Sequence, residues 1–298
     1  NLLGEKLWAY YQGGEFWNDK PDPEKVIDDL DIQCATLLRG EQDKAKEICD
    51  RLLKERPECD RVAFNAGWFR LNEGRLLAGQ RLLDRGRNED VFGNRDIGST
   101  RPVWKGQPGT VLLNLEGGLG DQIHGYRFAK LLSRTNRVVI SCTADLAPMF
   151  AEEFAVVEHV AACGVYHDYW LPSMSAVTAF GLEYSDLDGE AYIPRTAETV
   201  PGRIGVRWSG NPEFEHEQHR RFPPELLFDV VEGLDCVSLQ RDEGSEYRPD
   251  WMPEANMEDW AATRQSISAC ELVITSCTSI AHLSAAMGVP TWVVTPIL

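Results

Sequence analysis

Residues 273–294, "VITSCTSIAHLSAAMGVPTWVV", read as strand, polar turn, short helix, strand. The two apolar runs suit strands, and the small polar residues Ser276, Cys277, Thr278 and Ser279 open a helix between them. Thr278 or Ser276 supplies the N-cap, Gly288 takes the position just past the helix end, and Pro290 stops continuation. Such a helix starts at a defined point, so its first-turn N–H groups form a fixed donor set. An anion placed there gains about 0.3–1 kcal/mol from the helix end, or about 2 when partly buried. Thr278 and His282 stand four apart and share a face, which brings hydroxyl, amide and imidazole to one point suited to a diphosphate.

The same alternation runs back through the chain. Strands are expected at Ile204–Trp208, Val237–Gln240, Leu272–Thr275 and Thr291–Thr295, with helices at Pro224–Val231, Ala261–Ala269 and Ser279–Met287. An earlier series sets strands at Val111–Leu115, Val138–Cys142 and Val156–Val160 and a helix at Gln122–Arg134. This predicts an α/β fold with two Rossmann-like lobes, each a parallel sheet covered on both faces. Ligands of such sheets lie beyond the carboxyl ends of the strands, so two lobes facing each other share a cleft. The expected division is a helical domain over 1–92, a linker at 93–109, a first lobe over 110–198 and a second over 199–298.

From about 31 to 90 the period is helical and nearly repeats every 34 residues, with Leu37 and Leu71 in register and Gly40 and Gly74 likewise. Ala45, Pro57, Gly67 and Leu83 fill out two copies that resemble tetratricopeptide repeats, whose small residues let helices pack closely. Gly79 and Gly86 replace the usual alanines. Residues 1–30, with Trp8, Tyr10, Tyr11, Phe16 and Trp17, suit a capping helix or an eroded repeat. Repeats of this kind dock partners rather than perform chemistry.

Composition excludes some functions. The net charge is −17, which argues against a nucleic-acid partner. The eight cysteines contain no C-x-x-C pair, so reduced thiols and a cytoplasmic setting are expected, with no zinc site. No apolar run reaches 18 residues and no secretory signal opens the chain, so no membrane span is expected. Positive charge is concentrated locally: Arg203, Arg207, His216, His219, Arg220 and Arg221 fall in one stretch, a place for an anionic small molecule. Trp208 and Asn211 offer stacking and hydrogen bonds beside it, and arginine forks suit phosphate oxygens.

The other chemistry-bearing segment is "LLNLEGGLGDQIHGYRFAKLL", residues 112–132, where a strand enters a glycine-rich turn and then a helix. Gly117, Gly118 and Gly120 permit positive φ and close backbone approach. Ile123 stands where a dinucleotide fingerprint requires its third glycine. Asp121 is either a plain N-cap or a cleft-facing carboxylate placed to take a proton, with His124 a second candidate.

The block 203–298 resembles the carboxy-terminal lobe of GT-B glycosyltransferases of the heptosyltransferase-like kind. The resemblance implies that Thr278, Ser279 and His282 hold the donor diphosphate and that "VSLQRDEGSE", with Gln240 and Arg241, receives the nucleoside. "EGGLGDQI" is similar to the first lobe's glycine-rich turn, with Gly118 and Gly120 near the donor and Asp121 as base. "HDYWLPSMSAV", residues 167–177, looks like the loop shaping the acceptor side. Tetratricopeptide repeats fused to such lobes resemble bacterial and phage proteins likened to protein O-glycosyltransferases, the likeness covering about 31–298. Cys277 departs from the family's usual Asp, the second lobe is expected to be truncated after Leu298, and "GGLGDQ" is also similar to a fucosyltransferase turn, which leaves the nucleotide open. The implied activity is metal-independent, inverting transfer from a nucleotide diphosphate sugar to an acceptor hydroxyl of protein or glycan, with no cofactor. A non-catalytic nucleotide-sugar binding module and a sugar-nucleotide epimerase are the alternatives. Asp29-Leu30-Asp31 and Asp186-Leu187-Asp188 match a metal-binding D-x-D by letter, in contexts away from a sheet end.

Overall fold

The computed structural model describes residues 41–93, 97–212, 221–241 and 244–295. Two compact units are present, one holding 41–93 with 181–187 and the other 97–180 with 188–295. The first contains helices α1 (Gln42–Glu55), α2 (Asp60–Asn72) and α3 (Leu76–Leu83). Helix α1 ends where Pro57 forbids continuation. Gly67 and Gly79 set the α2–α3 spacing: a Cβ on Gly79 would stand 2.6 Å from Leu71 Cδ2 and 3.0 Å from Gly67 O, so these helices touch backbone to backbone. The aromatic-rich segment 1–30, Leu37, Gly40 and Asp29-Leu30-Asp31 lie outside the described residues.

The second unit carries two four-stranded parallel sheets. Strands β1 (Thr110–Asn114), β2 (Arg137–Cys142), β3 (Ala155–Glu158) and β4 (Tyr169–Pro172) pair in the order β3-β2-β1-β4. Strands β5 (Ile204–Arg207), β6 (Cys236–Ser238), β7 (Leu272–Ser276) and β8 (Thr291–Val294) pair in the order β6-β5-β7-β8. The α/β expectation therefore holds in both halves. Val111, Leu112 and Leu113 are fully buried, as the central strand of a covered parallel sheet requires. Each such Leu contributes about 1.5–3 kcal/mol by leaving water. The order reverses beside β1 in the first sheet and beside β5 in the second, so each lobe opens a crevice at the carboxyl end of that strand.

Helices α4 (Leu119–Leu132), α5 (Ala147–Phe150) and α6 (Ala176–Phe180) belong to the first lobe, and α7 (Pro224–Val231), α8 (Trp260–Ser268) and α9 (Ser279–Ala286) to the second. Residues 167–177 are not one loop: they contain β4 and the start of α6. Trp170 and Leu171 are buried as β4 pairs with β1, and Pro172 ends the strand, which made four residues too short a run to stand out. The linker is likewise stitched down. Trp104 donates its backbone N–H to Trp170 O at 2.8 Å and its indole N–H to Gln107 O at 2.7 Å. On β8, the outer strand of the second sheet, Trp292, Val293 and Val294 stay exposed, so the cover expected on both faces is incomplete there among the described residues.

Candidate active site

The turn from β1 into α4 is built by short-range constraints. Glu116, itself buried, donates its N–H to Ser173 Oγ at 3.0 Å and accepts the Met174 N–H on Oε2 at 3.1 Å, lashing the exit of β1 to that of β4. Gly117 has φ +77°, and a Cβ there would lie 2.7 Å from both Asp121 Oδ2 and Met174 Cε. Only glycine satisfies both demands. Gly118 is the N-cap of α4, so Asp121 is not the cap but the third helical residue, its Oδ2 accepting the Gly118 N–H at 2.9 Å. The helix begins earlier than the Gln122 start expected, because Gly118 takes the N-cap position and the Asp121 carboxylate reaches back to accept its N–H. Asp121 remains exposed at a helix N-terminus, where a negative charge is favoured.

The β7–α9 turn has the matching geometry. Thr278 is the N-cap by backbone conformation, φ −136° and ψ 175°, but its side chain does not cap; its hydroxyl lies 3.3 Å from that of Thr275. Ser276 does not cap either, and its buried Oγ has no hydrogen-bond partner. At the other end Gly288, with φ +67°, follows the helix, while Val289 N–H reaches Ser284 O at 3.0 Å and Gly288 N–H reaches Ala285 O at 2.9 Å. That pair is a Schellman closure, in keeping with Gly288 and Pro290 as helix stops.

The two helix starts meet. A Cβ on Gly120 would stand 2.7 Å from His282 Cδ2 and 3.4 Å from Ser279 Cα, so glycine lets the second helix approach the first across the lobes. The rings of His124 and His282 are 6.1 Å apart between centroids. His124 keeps an exposed edge yet is surrounded by protein; desolvation, then His282, then Arg127 bring its pKa down to about 4, with Asp121 opposing. His282, half-buried, is also held below the usual imidazole range by desolvation, again opposed by Asp121. Both rings are therefore favoured neutral. Arg127, not singled out from sequence, lies one turn beyond His124 and stacks its guanidinium 5.6 Å from the Tyr192 ring.

These shifts set a pH dependence. A histidine with a depressed folded pKa leaves the unfolded chain binding more protons as pH falls below about 6.5, so stability declines on acidification until the folded rings protonate in turn. Thermal melts from about pH 7.5 to 4.5 are expected to show a falling Tm, and a His124→Gln, His282→Gln double variant a flatter profile. Equal slopes would exclude these rings as the cause.

Several donor-side candidates are engaged inside the second lobe. Arg207 is buried and donates Nε to Ser209 O at 2.9 Å and Nη1 to Leu239 O at 3.1 Å. Trp208 is 1% exposed, meets Phe228 edge-on at 5.1 Å and donates Nε1 to Gly244 O at 2.9 Å. Gln240 accepts the Trp208 and Ser209 N–H groups on one oxygen and donates to Ser209 Oγ at 2.9 Å. These bonds brace the ends of β5 and β6. Asn211, Arg221 and Arg241 are exposed; His216, His219 and Arg220 lie outside the described residues. Among the described residues there is no cluster of metal-ligating side chains and no helix long and apolar enough to cross a membrane.

A Gly120→Ala change tests how the two helix starts pack. Gly120 lies within the first turn of α4 and outside the positive-φ region, so alanine gains roughly 1 kcal/mol of helix propensity while forcing the His282 ring to move. Stability is expected to change by less than about 1 kcal/mol, because the His282 ring moves while the helices keep their spacing. A loss of several kcal/mol in a denaturant titration would mean that the helices, not the ring, give way.

No protein-family model and no curated protein sequence matches the chain. Solved structures do resemble it. The bacterial iron-containing dodecameric glycosyltransferase TibC from enterotoxigenic E. coli H10407 is similar over 64% of this chain and 58% of that one, at 11% identity and a TM-score of 0.47. The E. coli heptosyltransferase WaaC with ADP is similar over 62% of this chain and 86% of its own, at 12% identity and 0.42. The E. coli ADP-heptose lps heptosyltransferase II is similar over 62% and 84%, at 13% identity and 0.45. Likeness at this level fixes neither activity nor substrate.

Proposed function

We propose that this chain is a glycosyltransferase of the GT-B kind, preceded by degenerate tetratricopeptide-like helical hairpins that serve a protein partner. The observation that carries this reading is the meeting of two helix N-termini, at Gly118–Asp121 and at Thr278–His282, beyond the carboxyl ends of two parallel sheets. Such a place favours a diphosphate, each helix start adding about 0.3–1 kcal/mol and more when buried. The donor is a nucleotide diphosphate sugar and the acceptor a hydroxyl of a protein or glycan.

In this reading an acceptor hydroxyl attacks the anomeric carbon. Its proton passes to Asp121, the anomeric C–O bond breaks, and the diphosphate leaves with the electron pair. Helix N–H groups of α9 meet the developing charge without rearrangement. Single displacement inverts the anomeric configuration. Neutral His124 and His282 supply hydrogen-bonding nitrogens beside the leaving group and ask for no metal. Gln240 and Arg207 then act by holding the β5 and β6 ends in place, and Arg241 is the exposed candidate for nucleoside contact.

A thermal-shift panel tests the binding half. UDP-, GDP- and ADP-sugars at a hundredfold excess over Kd stabilise a specific site by about 2.7 kcal/mol, whereas CMP-sugars, lacking a diphosphate, are expected to do much less. No shift with any diphosphate donor overturns the reading. A shift without sugar transfer or donor hydrolysis supports the non-catalytic binding module instead.

A further inference from the structure

A second cluster lies in the first lobe, between the segment leading to β1 and the turn before β4. His167 is buried, with Nδ1 2.7 Å from Val165 O and Nε2 2.7 Å from Ser99 Oγ. A carbonyl only accepts, so Nδ1 carries a proton, and in the neutral tautomer that this bond selects Nε2 is the bare nitrogen. In that tautomer the Ser99 hydroxyl donates to Nε2. Arg101 N–H donates to the same Oγ at 3.1 Å, which fixes the oxygen from the other side. Ser99 lines a cavity of about 350 Å³ together with Thr100, Arg101, Cys163, Tyr166 and His167.

We infer that Ser99 and His167 form a nucleophile–base pair that accepts small acyl groups, a site independent of the sugar-transfer crevice. The three elements such chemistry needs are present: a hydroxyl, a base within hydrogen-bond reach, and a third group, Val165 O, that fixes the base's tautomer. The cavity is near the lower limit of size for a ligand site, which restricts the acyl group to a short one. In the step, Ser99 Oγ bonds to the ester carbonyl carbon while its proton moves to His167 Nε2. The ester C–O bond then breaks and the leaving alkoxide takes that proton. Water reverses the sequence, giving a carboxylic acid and the free serine, with no change of oxidation state. Arg101, exposed, lines the same space and brings positive charge to the side of the cavity where the oxyanion would form.

The intact chain is treated with a fluorophosphonate, which loses fluoride to a nucleophilic serine, and the adduct is located by peptide mass spectrometry. Release of p-nitrophenol from p-nitrophenyl acetate is followed in parallel. One adduct at Ser99 is expected, absent in Ser99→Ala and slowed about 10²- to 10⁴-fold in His167→Gln, the usual contribution of a general base. Ser99→Ala removes a single oxygen, so its melting curve stays close to that of the parent and the comparison survives even if His167→Gln does not fold. A purely structural Ser–His bracket gives no adduct. No labelling, labelling at Cys163 or Tyr166 instead, or equal ester turnover in Ser99→Ala overturns the inference.

Discussion

Replacing Asp121 with Asn is expected to leave donor binding intact and to lower sugar transfer by about 10²- to 10⁴-fold, the range a general base supplies. On the rate scale that is about 3–5 kcal/mol of transition-state stabilisation. The geometry makes this substitution informative. One Asp121 oxygen accepts the Gly118 N–H at 2.9 Å, and an asparagine carbonyl oxygen keeps that bond and the start of α4. What asparagine lacks is the capacity to take a proton. Asp121→Ala removes the helix-start bond as well and costs about 1 kcal/mol of stability, so the two variants separate a base from a helix-start acceptor. Single-turnover transfer with a saturating donor, alongside donor titration by thermal shift, reads both effects. Unchanged turnover in the asparagine variant removes Asp121 from the role, and a matching loss in His124→Gln passes it to His124.

Much of the second unit could be read from the residues because its strands are apolar runs with punctuated ends. Helix α7 was expected at Pro224–Val231 and is found there, since proline starts it and the Glu232-Gly233 pair ends its pattern. Strand β4 was missed: at Tyr169–Pro172 its pairing with β1, not its own pattern, makes it a strand. The same distinction runs through the site. Gly117 and Asp121 were legible because a glycine-rich turn between strand and helix constrains its neighbours locally. The approach of Gly120 to His282 was not, since it joins residues far apart in sequence and depends on how the lobes pack. Arg207, Trp208 and Gln240 have the side chains a nucleotide site would use, yet those groups are engaged in bracing two strand ends. Residue type announces capacity for an interaction; only the tertiary environment decides which partner takes it.

Trp208 makes that choice measurable. Truncation to alanine is expected to destabilise the second lobe by about 3–5 kcal/mol, the cost of emptying a fully buried aromatic site and of leaving the Phe228 ring without its edge-on neighbour. Trp208→Phe keeps most of the packing but leaves Gly244 O without its indole donor, which predicts a smaller destabilisation of about 1–3 kcal/mol. If Trp208 were instead a platform on which a nucleobase stacks, the energetics would invert: the phenylalanine variant would fold normally and alanine would mainly weaken binding. Urea titrations of both variants, paired with donor titrations of Trp208→Phe, distinguish the two. The burial favours the first outcome, with donor affinity in Trp208→Phe close to that of the parent. A stable alanine variant with weakened donor binding would restore the ring to the ligand and require the β5–β6 bracket to open when the donor arrives.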